Sequence, residues 1–185
     1  EYSRMEALKE VHAMQASCKH PNIIMYHDSW FNQSKLCILM EYAPNGSLDR
    51  IIKTYKQTSN RFIQSQVTSY LEQLSSALDY CHSTLKIIHR DIKPGNIFID
   101  QLGNLKLGDF GLSKDLNANM MCATYVGSPL YMAPEILKGM PYTFNVDIWA
   151  LGCVMYEVMA LHSPWELMGK SPTNFAALVN IILNE

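Results

Sequence analysis

The stretch HRDIKPGN, residues 89–96, crowds a carboxylate, two cations and an amide together, and the apolar run IFID follows at once. A strand that served packing alone would need none of His89, Arg90, Asp91, Lys93 and Asn96. Read as chemistry, they form a set. The amide oxygen of Asn96 and a second carboxylate, Asp109, are hard oxygen ligands that suit magnesium and leave positions open for phosphate oxygens. Lys93 can offset phosphate charge, and Asp91 can orient a hydroxyl. These parts suit phosphoryl transfer, where positioning and electrostatics carry the rate because the protein does little covalent work.

For Asn96 and Asp109 to share a cation, they must face each other across a hairpin of two short strands, IFID and LKLG, around QLGN. A turn centred on Leu102-Gly103 sets them opposite, roughly 4.5–5.5 Å apart. A turn centred on Gly103-Asn104 shifts the register and separates them. Asp91, in the loop feeding the first strand, reaches over the same site.

Upstream, Ala7, Val11, Met14 and Cys18 have helical spacing, and HPN (20–22) ends that helix. Residues 23–28 and 35–42 predict two strands around the turn NQS. APNGS is a linker, broken by Pro44 and Gly46. Val67, Tyr70, Leu71, Leu74, Ala77, Leu78 and Cys81 mark a long helix entered through a polar stretch. Residues 111–135 have no clear period and predict a long functional loop or a disordered one. VDIWALGCVMYEVMAL (146–161) predicts a helix apolar nearly all round, placed in a core from about Asp147. It is too short to cross a bilayer, and it carries Asp147 and Glu157. The amphipathic segment NFAALVNIILNE closes the chain. Strands early and helices late predict an α+β chain of two lobes joined by a hinge near residues 41–46.

At 185 residues the chain fits one domain, or one and part of another, and 48% apolar residues suffice for a core. The formal net charge is −2 with no basic run, so nothing calls for nucleic acid or an anionic membrane. Nothing in the first residues predicts a signal peptide. Cys18, Cys37, Cys81, Cys122 and Cys153 are scattered and never form a CxxC pair. They read as free thiols in a reducing compartment; an intracellular, cytoplasmic protein is expected, with nuclear or cytoskeletal association left open. Glu1 in place of Met, and the absence of a tail after LVNIILNE, predict a segment of something longer.

HRDIKPGN, DFG (109–111), APE (133–135) and DIWALG, in this order and spacing, resemble the catalytic core of the eukaryotic protein kinases. The resemblance covers nearly the whole chain. It implies a truncated two-lobe fold, with residues 1–40 a remnant of the small lobe, 41–46 the hinge and 47–185 an incomplete helical lobe. It also implies ATP and Mg2+. Asp91 would be the catalytic base, Lys93 the phosphate-contacting lysine, and Asn96 and Asp109 the magnesium ligands. Phe110, followed by Gly111, would pack under the first helix, and His89 over the helical lobe. Asp147 would hold the backbone of the HRD turn; an ordinary helix N-cap is the plainer alternative. Met40 would back the adenine pocket, Glu41 and Ala43 would present hinge backbone groups, and Phe98 would pack beneath adenine; core packing is the plainer alternative for Met40 and Phe98. Arg90 would pair with a phosphate on the activation loop, for which Thr124 is the best candidate acceptor; a threonine in a mobile loop with no modification is the plainer alternative. Ser128, where the family usually carries threonine, keeps a hydroxyl for Asp91 and Lys93.

ATYVGSPLYMAPEI, DIWALGCVMYEV and the MEYAPNGSL hinge resemble the NIMA-related serine/threonine group. The family's glycine-rich loop and strand lysine are missing from this sequence. Glu10, with Met14 one turn on, or else Glu6, would partner that lysine. Glu135 would lack its arginine partner, a loss of roughly 3–5 kcal/mol for a buried carboxylate. Few small-lobe strands leave a sheet edge open. The resemblance therefore implies a parent enzyme that phosphorylates serine or threonine of protein substrates, and a segment inactive by itself. The alternative is a pseudokinase or truncated fragment acting as a non-catalytic interaction module. Oligomeric state is not readable from the sequence.

Overall fold

A computed structural model describes residues 20–33, 35–111, 113–115, 127–166 and 172–184. The first hairpin pairs β1 (Tyr26–Asn32) with β2 (Lys35–Met40), antiparallel. Its turn begins at Gln33, with a left-handed φ of +56°. Both strands differ from the expected bounds. Asn22 to Ile24 are taken by another sheet edge: the Ile24 N–H donates to the Leu107 carbonyl and the Leu107 N–H to the Asn22 carbonyl, each at 2.8 Å. Glu41 and Tyr42 lie beyond the end of β2. Among the described residues β1 and β2 pair only with each other, and Trp30, Phe31, Leu39 and Met40 are exposed on them.

Helix α1 (Leu48–Thr58) was hidden in the stretch read as a polar approach. Its signal is there: Leu48, Ile51, Ile52 and Tyr55 fall on one face, and Leu48 and Ile52 are buried. Helix α2 (Gln64–Asp79) ends in a π-helical turn, Tyr80–Thr84, which keeps Cys81 buried. Leu74 and Leu78 of α2 join Leu48, Ile52, Ala150, Val154 and Val158 in one core.

That core also takes the second hairpin, β4 (Ile97–Ile99) and β5 (Leu105–Leu107). Its register corrects the sequence reading. Ile97 lies opposite Leu107, Phe98 opposite Lys106 and Ile99 opposite Leu105. The Asp100 N–H donates to the Asn104 carbonyl at 3.0 Å, so the loop is Gln101-Leu102-Gly103 and neither two-residue turn forms. Asp100 Oδ1 selects the longer loop by accepting the N–H groups of Leu102 and Asn104, both at 2.8 Å. Gly103 supplies the left-handed φ of +86° that such a loop needs. Asn96 therefore sits opposite Gly108, whose N–H donates to its carbonyl at 2.9 Å, and Asp109 lies one residue beyond.

Part of the loop expected over 111–135 is structured. β6 (Lys114–Asp115) pairs with β3 (Ile87–Ile88), and α3 (Pro134–Leu137) follows a 3-10 turn at Pro129–Tyr131. Helix α4 (Asn145–Ala160) starts before Asp147 and is not buried all round. Val146, Ala150, Val154 and Val158 face the core, while Ile148 and Met159 are 53% and 55% exposed. Asp147 is inside α4, whose N-cap is Phe144, so the capping alternative is excluded. Helix α5 (Phe175–Asn184) buries Leu178 and Ile182, as its amphipathic pattern predicts. Among the described residues no helix is long and apolar enough to cross a membrane.

Candidate active site

Asp91 is buried where a bare carboxylate would be costly, so its surroundings must supply donors. Three side chains do. Lys93 Nζ reaches Oδ2 at 2.6 Å, Asn96 Nδ2 donates to Oδ2 at 2.8 Å, and Ser128 Oγ donates to Oδ1 at 2.8 Å. Lys93 Nζ also donates to Ser128 Oγ at 2.9 Å, closing a triangle across two loops. Burial by itself raises the Asp91 carboxyl, but the bonds from Lys93, Ser128 and Asn96 outweigh it and hold the group below the ordinary aspartate value. The group is therefore held as an anion at neutral pH.

The loop that carries Asp91 is tied to α4. Asp147 Oδ2 accepts the His89 N–H at 2.9 Å, and Oδ1 accepts the Arg90 N–H at 2.8 Å. Two successive N–H groups can converge on one carboxylate because Arg90 takes a left-handed φ of +68°. His82 Nε2 approaches Oδ2 at 2.7 Å from the π-helical turn. Ser128 reaches Asp91 because Gly127 lets the backbones touch: a Cβ at Gly127, with φ +113°, would lie 2.6 Å from the Arg90 carbonyl. Arg90 Nη1 lies 3.4 Å from the Tyr142 hydroxyl.

His89 is fully buried. Its Nε2 lies 3.1 Å from the Gly108 carbonyl, and the Asp91 N–H lies 3.4 Å from Nδ1. A neutral ring carrying its proton on Nε2 satisfies both. Phe110 packs on His89, ring centroids 4.7 Å apart.

Beside this loop lies a cleft of about 560 Å3, lined by Met40, Glu41, Ala43, Phe98, Gly108 and Asp109 among others. Its size is that of a small-molecule site. Met40 is 42% exposed there, and Phe98 half-buried, so plain core packing does not describe them. Gly108 keeps the floor low, since a Cβ there would meet Phe98 at 3.0 Å and Ile24 at 3.2 Å.

Asn96 and Asp109 do not face each other as a cross-strand pair. Asp109, exposed and with a left-handed φ of +59°, turns out of the strand into the cleft lining. The Asn96 amide nitrogen is committed twice to Asp91, to its Oδ2 and at 2.9 Å to its carbonyl, so the amide oxygen is the atom left for a ligand. Among the described residues no group of three or more His, Cys, Asp or Glu could hold a metal by itself. An ion here would draw its remaining ligands from phosphate and water, which is how magnesium is usually held, so the donor set fits.

Glu6, Glu10, Met14 and Thr124 lie outside the described residues, as does the helix expected above Phe110. Glu135 is half-buried, not buried, so the full penalty of a stripped interior carboxylate does not apply. Lys106, His82 and Gly127 were not singled out from the sequence. Gly127 could have been, as the residue before a candidate hydroxyl; Lys106 and His82 act through partners distant in sequence and gave no local signal.

Residues 1–183 match the family model described as Protein kinase domain. The chain is 41% identical to the G2-specific protein kinase fin1 of Schizosaccharomyces pombe over 80% of this chain and 23% of that protein. It is 40% identical to the probable serine/threonine-protein kinase nek2 of Dictyostelium discoideum over 86% of this chain and 39% of that protein. With the mouse serine/threonine-protein kinase Nek1 the figures are 41%, 88% and 13%. The chain thus spans well under half the length of these curated relatives. A domain match of that extent means that this chain belongs to the protein kinase family, and the relatives it resembles are serine/threonine kinases of the Nek type.

Proposed function

We propose that this domain transfers the terminal phosphoryl group of ATP, in the presence of magnesium, to serine or threonine hydroxyls of protein substrates. The observation that carries the reading is the Asp91–Lys93–Ser128 triangle, joined through Asn96 to Gly108 in the cleft lining. Adenine would enter between Met40 and Phe98, against the Glu41 carbonyl and the Ala43 N–H. Asn96 and Asp109 would hold magnesium, which supplies neutralisation of triphosphate charge. Asp91 aims the acceptor hydroxyl, and Lys93 offsets the charge on the moving phosphoryl group. The hydroxyl oxygen bonds to the terminal phosphorus as that phosphorus parts from its bridging oxygen. ADP leaves with the electron pair, and the Asp91 carboxylate takes up the hydroxyl proton.

Asp91, Lys93, Asn96 and Asp109 are all present in this arrangement, which argues against a non-catalytic module. The missing glycine-rich loop and strand lysine support assigning activity to the full-length protein and none to residues 1–185 alone. In the same reading residues 1–40, 41–46 and 47–185 are small-lobe remnant, hinge and large lobe. A reducing, cytoplasmic setting is supported by the free Cys37, Cys81 and Cys153, with burial pushing the thiols of Cys81 and Cys153 up to about 12. In the full-length protein, Asp91→Asn is expected to lower kcat by about 10²–10⁴. An unchanged rate of peptide phosphorylation would overturn the assignment.

A further inference from the structure

Glu41 stands where the next rung of the β1–β2 ladder should form. Tyr26 lies opposite Met40, so Met25 and Glu41 are the following pair. In a regular antiparallel pair of this kind the two residues exchange both N–H···O bonds. One bond is regular: the Glu41 N–H donates to the Met25 carbonyl at 2.7 Å. The return bond is diverted. The Met25 N–H donates to Glu41 Oε2, at 3.1 Å, and not to the Glu41 backbone carbonyl.

The diverted acceptor is anchored by a side chain of the β4–β5 hairpin. Lys106 Nζ lies 2.8 Å from Glu41 Oε1 and 3.1 Å from Oε2. The two side chains are 12% and 24% exposed, so water screens this pair less than a surface pair. The hairpin register sets the anchor. Phe98, in the cleft lining, is the cross-strand partner of Lys106, and the two share the face of β4–β5 opposite the buried Ile97, Ile99, Leu105 and Leu107. One outcome is a backbone group released from the ladder: among the described residues no backbone N–H is bonded to the Glu41 carbonyl.

We propose that Lys106 is a positioning residue for the nucleotide. By fixing the Glu41 carboxylate as the stand-in acceptor for Met25, it keeps the Glu41 backbone carbonyl free for the exocyclic amine of adenine. The inference rests on the kinase reading above. Without Lys106 the half-enclosed carboxylate turns toward water. The Met25 N–H then takes the nearest acceptor, the Glu41 carbonyl, in the regular ladder manner.

The test uses the full-length protein and two triphosphates, ATP and purine riboside triphosphate, which lacks the exocyclic amine. Lys106→Met is expected to raise KM for ATP roughly three- to tenfold, the equivalent of one hydrogen bond. KM for the amine-free analogue is expected to stay where it was, kcat to be little changed, and Lys106→Arg to restore ATP binding. Equal increases for both triphosphates, or none for either, overturn the proposal. A wild-type protein that does not turn over ATP would overturn the kinase reading itself, a distinct result. Should Lys106→Met fail to fold, Lys106→Gln, a neutral donor of similar reach, must show a smaller increase confined to ATP, and its absence counts against the proposal.

Discussion

Replacing Ser128 with alanine removes one oxygen that serves two charged neighbours. Ser128 Oγ donates to Asp91 Oδ1 at 2.8 Å and accepts from Lys93 Nζ at 2.9 Å. The other carboxylate oxygen keeps Lys93 and Asn96 at 2.6 and 2.8 Å, so the variant preserves the charge balance. What it loses is the donor that fixes the carboxylate's rotation. A hydrogen bond involving a charged group contributes about 1.5–3 kcal/mol. If that orientation matters only when the acceptor hydroxyl is being aimed, kcat falls roughly ten- to hundredfold. The Asp91 carboxyl also drifts upward, because one of the bonds that hold it down has gone. The assay is steady-state phosphorylation of a serine peptide by the full-length protein, beside Ser128→Thr, which keeps the hydroxyl and is expected to be nearly silent. Thermal melting of each variant separates orientation from folding. A Ser128→Ala enzyme with unchanged kcat and unchanged melting would refute the reasoning, since the hydroxyl would then orient nothing that the reaction uses.

Burial holds the His89 imidazole below its ordinary value, against smaller opposing effects from Asp147, the Gly108 carbonyl and the neighbouring aspartates. The unfolded chain therefore binds the proton first, and the stability this group contributes is whole above about pH 6.5 and is lost as pH falls below it. Urea unfolding at pH 7.5 and 5.5 should show wild type losing up to about 1.4 kcal/mol more than His89→Gln; equal losses would mean that the ring is not held neutral. Thr124 is expected to carry a phosphate in the active full-length enzyme, adding about −1.5 to −2 charge for Arg90 to meet. Phosphopeptide mapping should find it and Thr124→Ala should lower activity; active enzyme without phosphate there would retire the idea.

The parts of the site were legible because their signal is local. Asp91, Lys93 and Asn96 fall within one loop, and a residue type that binds phosphate or metal announces itself in one dimension. Helix α4 and the β4–β5 hairpin were legible for the same reason, through apolar periodicity. The register of that hairpin was not. It turned on whether Asp100 would cap its own loop, and one residue of difference moved Asp109 off Asn96. Asp147 could be assigned two roles from sequence, and the capping role fell because the helix begins two residues earlier.

By itself, then, the order of residues determined which chemical groups the protein owns and which segments can bury a face, because both depend on near neighbours along the chain. The tertiary structure alone decided that Ser128 meets Asp91, that His82 meets Asp147 and that Lys106 meets Glu41. Those contacts join residues 37, 65 and 65 positions apart. At such separations side-chain type carries no information about distance, and only the packing of the helices against the hairpin brings the groups within hydrogen-bond reach.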